Sequence, residues 1–289
     1  MDMNVDNSIK VATMSDGDFS RLSEFIHDSC GIKITPAKKV MLESRLAKRL
    51  KNLGMGSFRD YFEYLFSSSG MQNELVHMID VVTTNKTDFF REPAHFSYLL
   101  EKAVPELINL HDAGTGRVLS LWSAGCSTGE EPYTIAMVLN ELKEKYREFR
   151  YMILATDIST KVLDIAKLGI YSEDTVGPVP EPLKRKYLMR GRDSHQGMIR
   201  IVPELRERVK FRRLNFMEGD FGMREAMDII FCRNVIIYFD RITQEKLLKR
   251  FCGHLVPGGY VFMGHSETLH GMDLPLVPVA PTVYRKKNR

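Results

Sequence analysis

The run Val118-Leu119-Ser120-Leu121-Trp122-Ser123-Ala124-Gly125-Cys126-Ser127-Thr128-Gly129-Glu130-Glu131-Pro132 has the residue types and spacing to hold a small molecule. An apolar stretch leads into a turn of small residues with two glycines, and a helix start follows. Glycine is needed where the backbone takes φ > 0 or where something approaches too closely for a Cβ. Glu130 and Glu131 fall where a first helical turn favours negative charge, and Pro132 suits an opening position. The spacing is G-x-x-x-G, not the G-x-G-x-x-G of dinucleotide-binding turns, and two acids stand where a pyrophosphate wants positive potential. The turn, Gly125 included, suits a cationic or zwitterionic nucleoside, S-adenosylmethionine rather than NAD. A plain packing turn is the alternative.

Further polar groups fall where strands of an open α/β sheet end. Tyr151 to Asp157 is an almost wholly apolar run that closes on an acid. An acid at the end of the second strand is where such folds hold ribose hydroxyls, although Asp157 also suits a helix cap before Ser159-Thr160. Val209–Leu214 ends at Asn215-Phe216, and Asp228–Cys232 ends at Arg233-Asn234. Ligands bind at the carboxyl ends of the strands, so these ends face one crevice, with Tyr238 near its rim. Thr83 to Pro93 is polar, then doubly aromatic at Phe89-Phe90, then charged at Arg91, which is unusual for a linker; pockets favour domain boundaries. Gly264-His265-Ser266-Glu267 superficially suggests a hydrolase, but there is no G-x-S-x-G elbow. The histidines show neither H-x-x-x-H nor H-E-x-x-H, and the four cysteines lie far apart without C-x-x-C, so no metal site or disulfide framework is expected. That cysteine usage fits a reducing cytosol.

The elements that must position these groups follow from periodicity. With 289 residues, 44% hydrophobic and 27% charged, the chain has room for two domains and the composition of a soluble globular protein. The start, MDMNVDNSIK, has no apolar core and is not expected to be a signal peptide, and no apolar run approaches the ~20 residues of a membrane span. Ser15 or Asp16 can cap a first helix that ends at Gly31. A second follows Thr35-Pro36 with a stripe of Leu42, Leu46, Leu50 and Leu53, and two more are predicted over 57–66 and about 71–82. A helix from Pro93 to about Leu110 then precedes the strand–helix alternation. Tyr187–Arg190 and Met198–Val202 flank a turn and read as a β-hairpin inserted into that rhythm.

Seven basic residues against one acid, Glu43, lie between Lys33 and Lys51, and Lys38, Arg45 and Arg49 share a face with Lys48 close by. A solvated face is one reading. The other is a docking surface for an acidic partner, which steers by charge. Net charge of +4 is too small to imply a nucleic-acid binder.

Taken together, Thr84-Asn85-Lys86-Thr87-Asp88-Phe89-Phe90-Arg91-Glu92, the run Trp122 to Pro132, Ala155-Thr156-Asp157-Ile158 and Phe231-Cys232-Arg233-Asn234-Val235-Ile236-Ile237-Tyr238-Phe239-Asp240 resemble the chemotaxis-receptor glutamate methyltransferases, the CheR family. Gly264-His265-Ser266-Glu267 also fits, and the resemblance runs in family order from about Ser15 to the end of the chain. It implies an α/β fold: an S-adenosylmethionine-dependent, Rossmann-like methyltransferase domain with an N-terminal all-α domain and an inserted small antiparallel β-subdomain. The expected division is a disordered 1–14, a helical domain over 15–85, an interdomain segment over 86–95 and a methyltransferase domain over 96–289, with the hairpin insertion at about 177–210. The implied activity is cytoplasmic methyl transfer to glutamate side chains on chemoreceptor helices, with S-adenosylhomocysteine as product. Asn85, Thr87, Arg91, Glu131, Asp157, Asn215, Phe216, Cys232 and Arg233 match cofactor-contacting positions. Gly125 in the turn and Asn234 at its strand end complete the expected set. Arg91 and Tyr238 match residues assigned to the transfer centre. Lys38, Arg45, Lys48 and Arg49 are then expected to dock the receptor, and residues 187–202 match a hairpin that in some members binds a receptor tether. Neither nucleic-acid binding nor membrane insertion is expected. Cys126 in the turn is expected to make the site sensitive to thiol reagents. A cofactor-binding signalling module without transfer activity is the alternative.

Overall fold

The structure is a computed structural model that describes residues 13–288. The disorder expected over residues 1–14 falls, up to residue 12, outside the described residues. The chain divides into two compact units, one ending at Thr84 and the other beginning at Asn85.

The first unit is all helical: α1 (Asp16–Cys30), α2 (Lys39–Asn52), α3 (Phe58–Leu65), α4 (Ser68–Asn73) and α5 (Leu75–Val82). Ser15 caps α1 by accepting from Asp18 N, and Gly31 closes it at φ 74°. Phe19, Leu22 and Ile26 of α1 and Leu42, Leu46 and Leu50 of α2 are all buried, as the helical spacing requires. One helix is expected over 71–82, but two are found, broken at Glu74. That carboxylate is 1% exposed and accepts both Arg49 Nε (2.9 Å) and Arg49 Nη2 (2.6 Å), with Tyr61 Oη at 2.9 Å. A buried charge must be paired, and the chain bends to bring it to its partners.

The second unit opens with α6 (Ala94–Tyr98), which passes through a π-helical turn (Leu99–Ala103) into α7 (Val104–His111). Pro105 has no N–H for the helix ladder, and the widened turn ahead of it absorbs that loss. Then come β1 (Leu119–Ala124), α8 (Glu130–Lys145), β2 (Tyr151–Asp157), α9 (Thr160–Leu168), β3 (Ile170–Ser172), α10 (Glu181–Tyr187), β4 (Leu188–Arg190), β5 (Met198–Ile201), α11 (Pro203–Arg206), β6 (Val209–Arg213), β7 (Met227–Cys232), α12 (Arg241–Gly253), β8 (Leu255–Met263), β9 (Leu276–Ala280) and β10 (Val283–Lys286). Seven strands form one sheet in the order β6-β2-β1-β7-β8-β10-β9. Strands β6, β2, β1, β7 and β8 are mutually parallel, and β10 and β9 run antiparallel at one edge.

The order reverses at β1. The chain first builds outward through β2 to β6, then returns over residues 214–226 to lay β7 on the other flank of β1. Such a reversal opens a crevice at the strands' carboxyl ends. Beneath it the core is dense. Phe231 and Phe262 stack at 4.4 Å, and buried Trp122 meets Phe251 edge-on at 4.7 Å while donating from its indole N–H to Thr156 Oγ1.

The inserted subdomain is a second, three-stranded antiparallel sheet in the order β3-β5-β4. It takes in Ile170–Ser172 ahead of the two hairpin arms. Strand β9 has no counterpart in the sequence reading because Pro275 and Pro278 obscure it. An edge position tolerates a proline that a central strand does not.

Candidate functional site

The turn after β1 is the floor of the site. Gly125 and Cys126 both donate from backbone N–H to Thr156 O, at 2.8 and 2.9 Å, which ties the turn to the end of β2. Gly125 (φ 84°) and Gly129 (φ 99°) adopt a conformation that disfavours side chains. A Cβ on Gly125 would lie 2.4 Å from Val235 Cγ2, and one on Gly129 would lie 2.8 Å from Tyr171 Oη. Both glycines therefore answer to close packing, Gly125 against the loop at Val235 and Gly129 against β3 and α9. Ligand selectivity falls to the polar groups around them.

Asp157 is buried, and its two carboxylate oxygens accept Ser127 N (2.9 Å) and Ser159 N (3.0 Å). The cap of α9 is Ser159, whose side chain accepts from Val162 N, so Asp157 does not serve as the helix cap. A carboxylate held this way by backbone N–H groups stays fixed at the end of β2, its acceptor oxygens at the rim of the turn.

Glu131 is 13% exposed; it accepts Ser123 Oγ at 2.7 Å and faces Arg233 Nη1 at 3.5 Å. Burial pushes its carboxyl up, against the pull of Arg233 and Ser123. Burial likewise raises Glu130, whose partner is the Thr128 hydroxyl.

Residues 85–92 lie in the second unit and run alongside this floor. Ser127 Oγ donates to Asn85 O at 2.8 Å, and Phe90 N donates to Thr134 Oγ1 on α8 at 3.2 Å. Thr87 is half-buried in the same stretch. Phe90 (φ 55°) and Glu92 (φ 56°) hold left-handed conformations on either side of Arg91, as do Ser127 (φ 48°) and Asn234 (φ 59°) nearby. These are four of the seven non-glycine residues with positive φ among the described residues, and such strain concentrates at functional sites. The Arg91 guanidinium reaches back to Lys86 O at 3.3 Å.

Arg233 is 3% exposed and joins three parts of the site. Its Nε lies 3.3 Å from Glu92 Oε2, its Nη1 faces Glu131, its Nη2 donates to Arg91 O, and its plane lies over Phe96. Glu92 also accepts His265 N at 3.1 Å. Burial alone would raise the Glu92 carboxyl, yet the His265 N–H and the Arg233 guanidinium leave it below its usual value. Asn234 and its neighbours are held by Glu267, a buried carboxylate that accepts four backbone N–H groups. These are Gly264 (2.6 Å), Asn234 (2.9 Å), Val235 (2.8 Å) and Ile236 (2.9 Å). Burial still raises its carboxyl. The 3-10 turn Ile236–Tyr238 continues from this clamp and leaves Tyr238 half-buried.

The remaining expected residues divide. Asn215 forms the turn after β6, its Oδ1 accepting Met217 N at 3.0 Å. The Phe216 ring packs with Trp122, Phe221 and Phe251, and its carbonyl accepts Arg250 Nη1 at 2.7 Å, so the structure engages this residue in packing behind the strand end. Cys232 is fully buried at the end of β7. Cys126 is 1% exposed, and burial pushes its thiol well above the usual value, which corrects the expectation of thiol sensitivity. In the helical unit, Arg45 donates to Val82 O (2.8 Å) and Thr83 O (2.9 Å), and Arg49 is the partner of Glu74. These two arginines brace their own unit, whereas Lys38 and Lys48 are exposed. Glu92, Ser123 and Glu267 escape sequence reasoning. Most of their partners are backbone groups and a single guanidinium, which leave no spacing signature.

The arrangement sets two largely buried carboxylates, Asp157 at the end of β2 and Glu131 at the start of α8, about one glycine turn, beside an arginine on a strained segment. Family models match both units: "CheR methyltransferase, all-alpha domain" over residues 17–83 and "CheR methyltransferase, SAM binding domain" over residues 85–283. The chain is 41% identical to a chemotaxis protein methyltransferase of Borreliella burgdorferi over 270 residues, covering 93% of this chain and 94% of that protein. It is 40% identical to chemotaxis protein methyltransferase 2 of Pseudomonas aeruginosa, covering 92% of each chain. It is 39% identical to a chemotaxis protein methyltransferase of Escherichia coli, covering 94% of this chain and 91% of that one.

Proposed function

This chain belongs to the CheR methyltransferase family, and on that premise we propose that it transfers the methyl group of S-adenosylmethionine to glutamate side chains of chemotaxis receptors, forming glutamyl methyl esters. What supports this most is the meeting of Asp157, Glu131 and the Arg91 segment around one glycine turn where the strand order reverses. The residues fit the cofactor. Asp157 is an acid at the end of the second strand, where such folds hold ribose hydroxyls, Glu131 supplies negative charge for an ammonium, and Asn215 and Phe216 follow the next strand end.

When bound, S-adenosylmethionine supplies a methyl group activated on a sulfonium sulfur. The attacking carboxylate, with pKa about 4.3 in water, is already ionised at neutral pH, so no side chain need act as a general base. The protein's task is to orient and to exclude water, and positioning alone can contribute roughly 7–11 kcal/mol. Arg91 orients a carboxylate through its planar fork, but a tight bidentate grip on the nucleophile would blunt attack, so its role is steering. Tyr238 forms a hydrogen-bonding wall at the rim. Charge is lost as the cation and carboxylate become neutral products, which a dry site favours.

The substrate segments are acidic helices in the receptor cytoplasmic region, docked by Lys38 and Lys48 on the helical unit. The edge strand β4 offers unpaired backbone groups to which a receptor tether can add as a further strand. A cytoplasmic location follows from such a substrate; among the described residues no helix is long and apolar enough to cross a membrane. The reading as a cofactor-binding module without transfer is not favoured, since relatives matched over nine-tenths of the chain are named methyltransferases. The test is kinetic. Arg91→Ala should lower kcat roughly a hundredfold, the loss expected when a preorganised charged donor is removed. Tyr238→Phe should lower it less, with cofactor affinity measured separately by titration calorimetry. Wild-type kcat/KM in both variants overturns the assignment.

A further inference from the structure

His95 is 2% exposed, and its ring is fixed by one hydrogen bond. Its Nε2 lies 2.8 Å from Thr282 Oγ1, and the Thr282 hydroxyl itself donates to Pro281 O. With the hydroxyl hydrogen given to Pro281 O, the Thr282 oxygen accepts from the ring, the ring hydrogen sits on Nε2, and a lone pair is left on Nδ1. That Nδ1 has no hydrogen-bond partner and faces Glu92 Oε2 at 3.5 Å. Two acceptors at this distance repel each other; Arg233 Nε, 3.3 Å from that oxygen, offsets the carboxylate charge but does not partner Nδ1, which a cation between the two would do. A third donor completes the cluster. His265 Nε2 is 3.9 Å from the same Glu92 oxygen, on a side chain 60% exposed, and one ligand atom from each residue falls within 4.8 Å of the others.

We propose that Glu92, His95 and His265 form a binding site for a first-row divalent transition-metal ion. Metal–ligand bonds of about 2.0–2.2 Å set ligand atoms roughly 3 to 3.5 Å apart, so the buried pair is already near that spacing. The exposed His265 closes the remainder by a side-chain rotation. Two imidazoles and one carboxylate select zinc, cobalt or nickel over magnesium or calcium. Thr282 on the far nitrogen of His95, and the His265 N–H on Glu92 Oε1, are the outer contacts that hold metal ligands in place.

Occupancy has a consequence for the site. Glu92 Oε2 is also the partner of Arg233 Nε, and Arg233 binds Arg91 O and Glu131. An ion on that oxygen displaces the guanidinium and loosens the floor on which the transfer residues sit. Metal binding is therefore inhibitory; this half of the inference rests on the methyltransferase reading, and the binding itself does not.

The test is a titration of metal-free full-length protein with Co²⁺, followed by visible absorption, with Zn²⁺ binding measured by equilibrium dialysis. About one ion per chain is expected, with an absorption intensity typical of tetrahedral or five-coordinate cobalt. Binding should weaken at least about tenfold in His265→Ala, whose side chain is exposed and not needed for folding, and in His95→Gln. Zinc should slow methyl transfer by the wild type and leave His265→Ala at its own metal-free rate. No saturable binding, or binding equal in wild type and both variants, overturns the site. Binding at the site with no change in rate overturns the inhibition.

Discussion

At the scale of single residues, Arg233 decides how the site's acids are held. It is nearly inaccessible and lies between two carboxylates and a backbone carbonyl. Removing one partner of a buried ion pair leaves an uncompensated charge, at a cost of about 3–5 kcal/mol. Arg233→Ala should therefore lower unfolding stability by that amount in urea melts, and Arg233→Lys should recover little, because a single ammonium cannot reach three acceptors in different directions. A loss below about 1 kcal/mol in Arg233→Ala contradicts the network. Arg233 stands at a strand end, so its place in the crevice is legible in the sequence; its inward engagement is not, because the chain partner Arg91 O is a backbone atom. The same holds for Arg45 and Arg49. Periodicity puts them on a face with Lys38, but cannot tell a basic side chain facing water from one that reaches a buried Glu74 or the carbonyls of Val82 and Thr83.

At the scale of elements, the inserted sheet is not a passive appendage. Tyr171 on β3 is buried, donates to Thr128 O at 2.7 Å, and packs edge-on against Phe89 at 5.1 Å. It thus touches both the glycine turn and the segment leading to Arg91. Tyr171→Phe keeps the packing and loses the hydrogen bond, which is worth about 1 kcal/mol. Cofactor affinity should fall several-fold in calorimetry with kcat little changed; a fall in kcat at unchanged affinity contradicts this placement. The hairpin arms are readable from alternation and turn residues, while β3 is too short, at three residues, to carry a period. The break between α4 and α5 and the π-helical turn before Pro105 are likewise set by a tertiary ion pair and a missing N–H. Neither disturbs the apolar spacing on which a helix is recognised.

At the scale of the whole molecule, the strand order explains why residues from distant stretches converge. Reversal at β1 brings the turns after β1 and β7 together so closely that Gly125 admits no side chain beside Val235. The parallel core is legible because buried parallel strands are continuous apolar runs. Its order is not, since nothing local in β7 says that it returns to the far flank of β1. Substrate docking belongs to this scale as well. Lys38→Glu with Lys48→Glu should slow receptor methylation at low ionic strength, the deficit shrinking as salt screens the charges, with cofactor affinity unchanged. A deficit independent of salt contradicts electrostatic docking. The proposed reaction requires that a receptor carboxylate take up the methyl group. Incubating the protein with methyl-labelled S-adenosylmethionine and chemoreceptor-containing membranes, then treating the labelled receptor with mild base, tests it directly. Label on the receptor that base releases as methanol is expected, as an ester requires; label that survives base, or none on the receptor, contradicts transfer to a carboxylate.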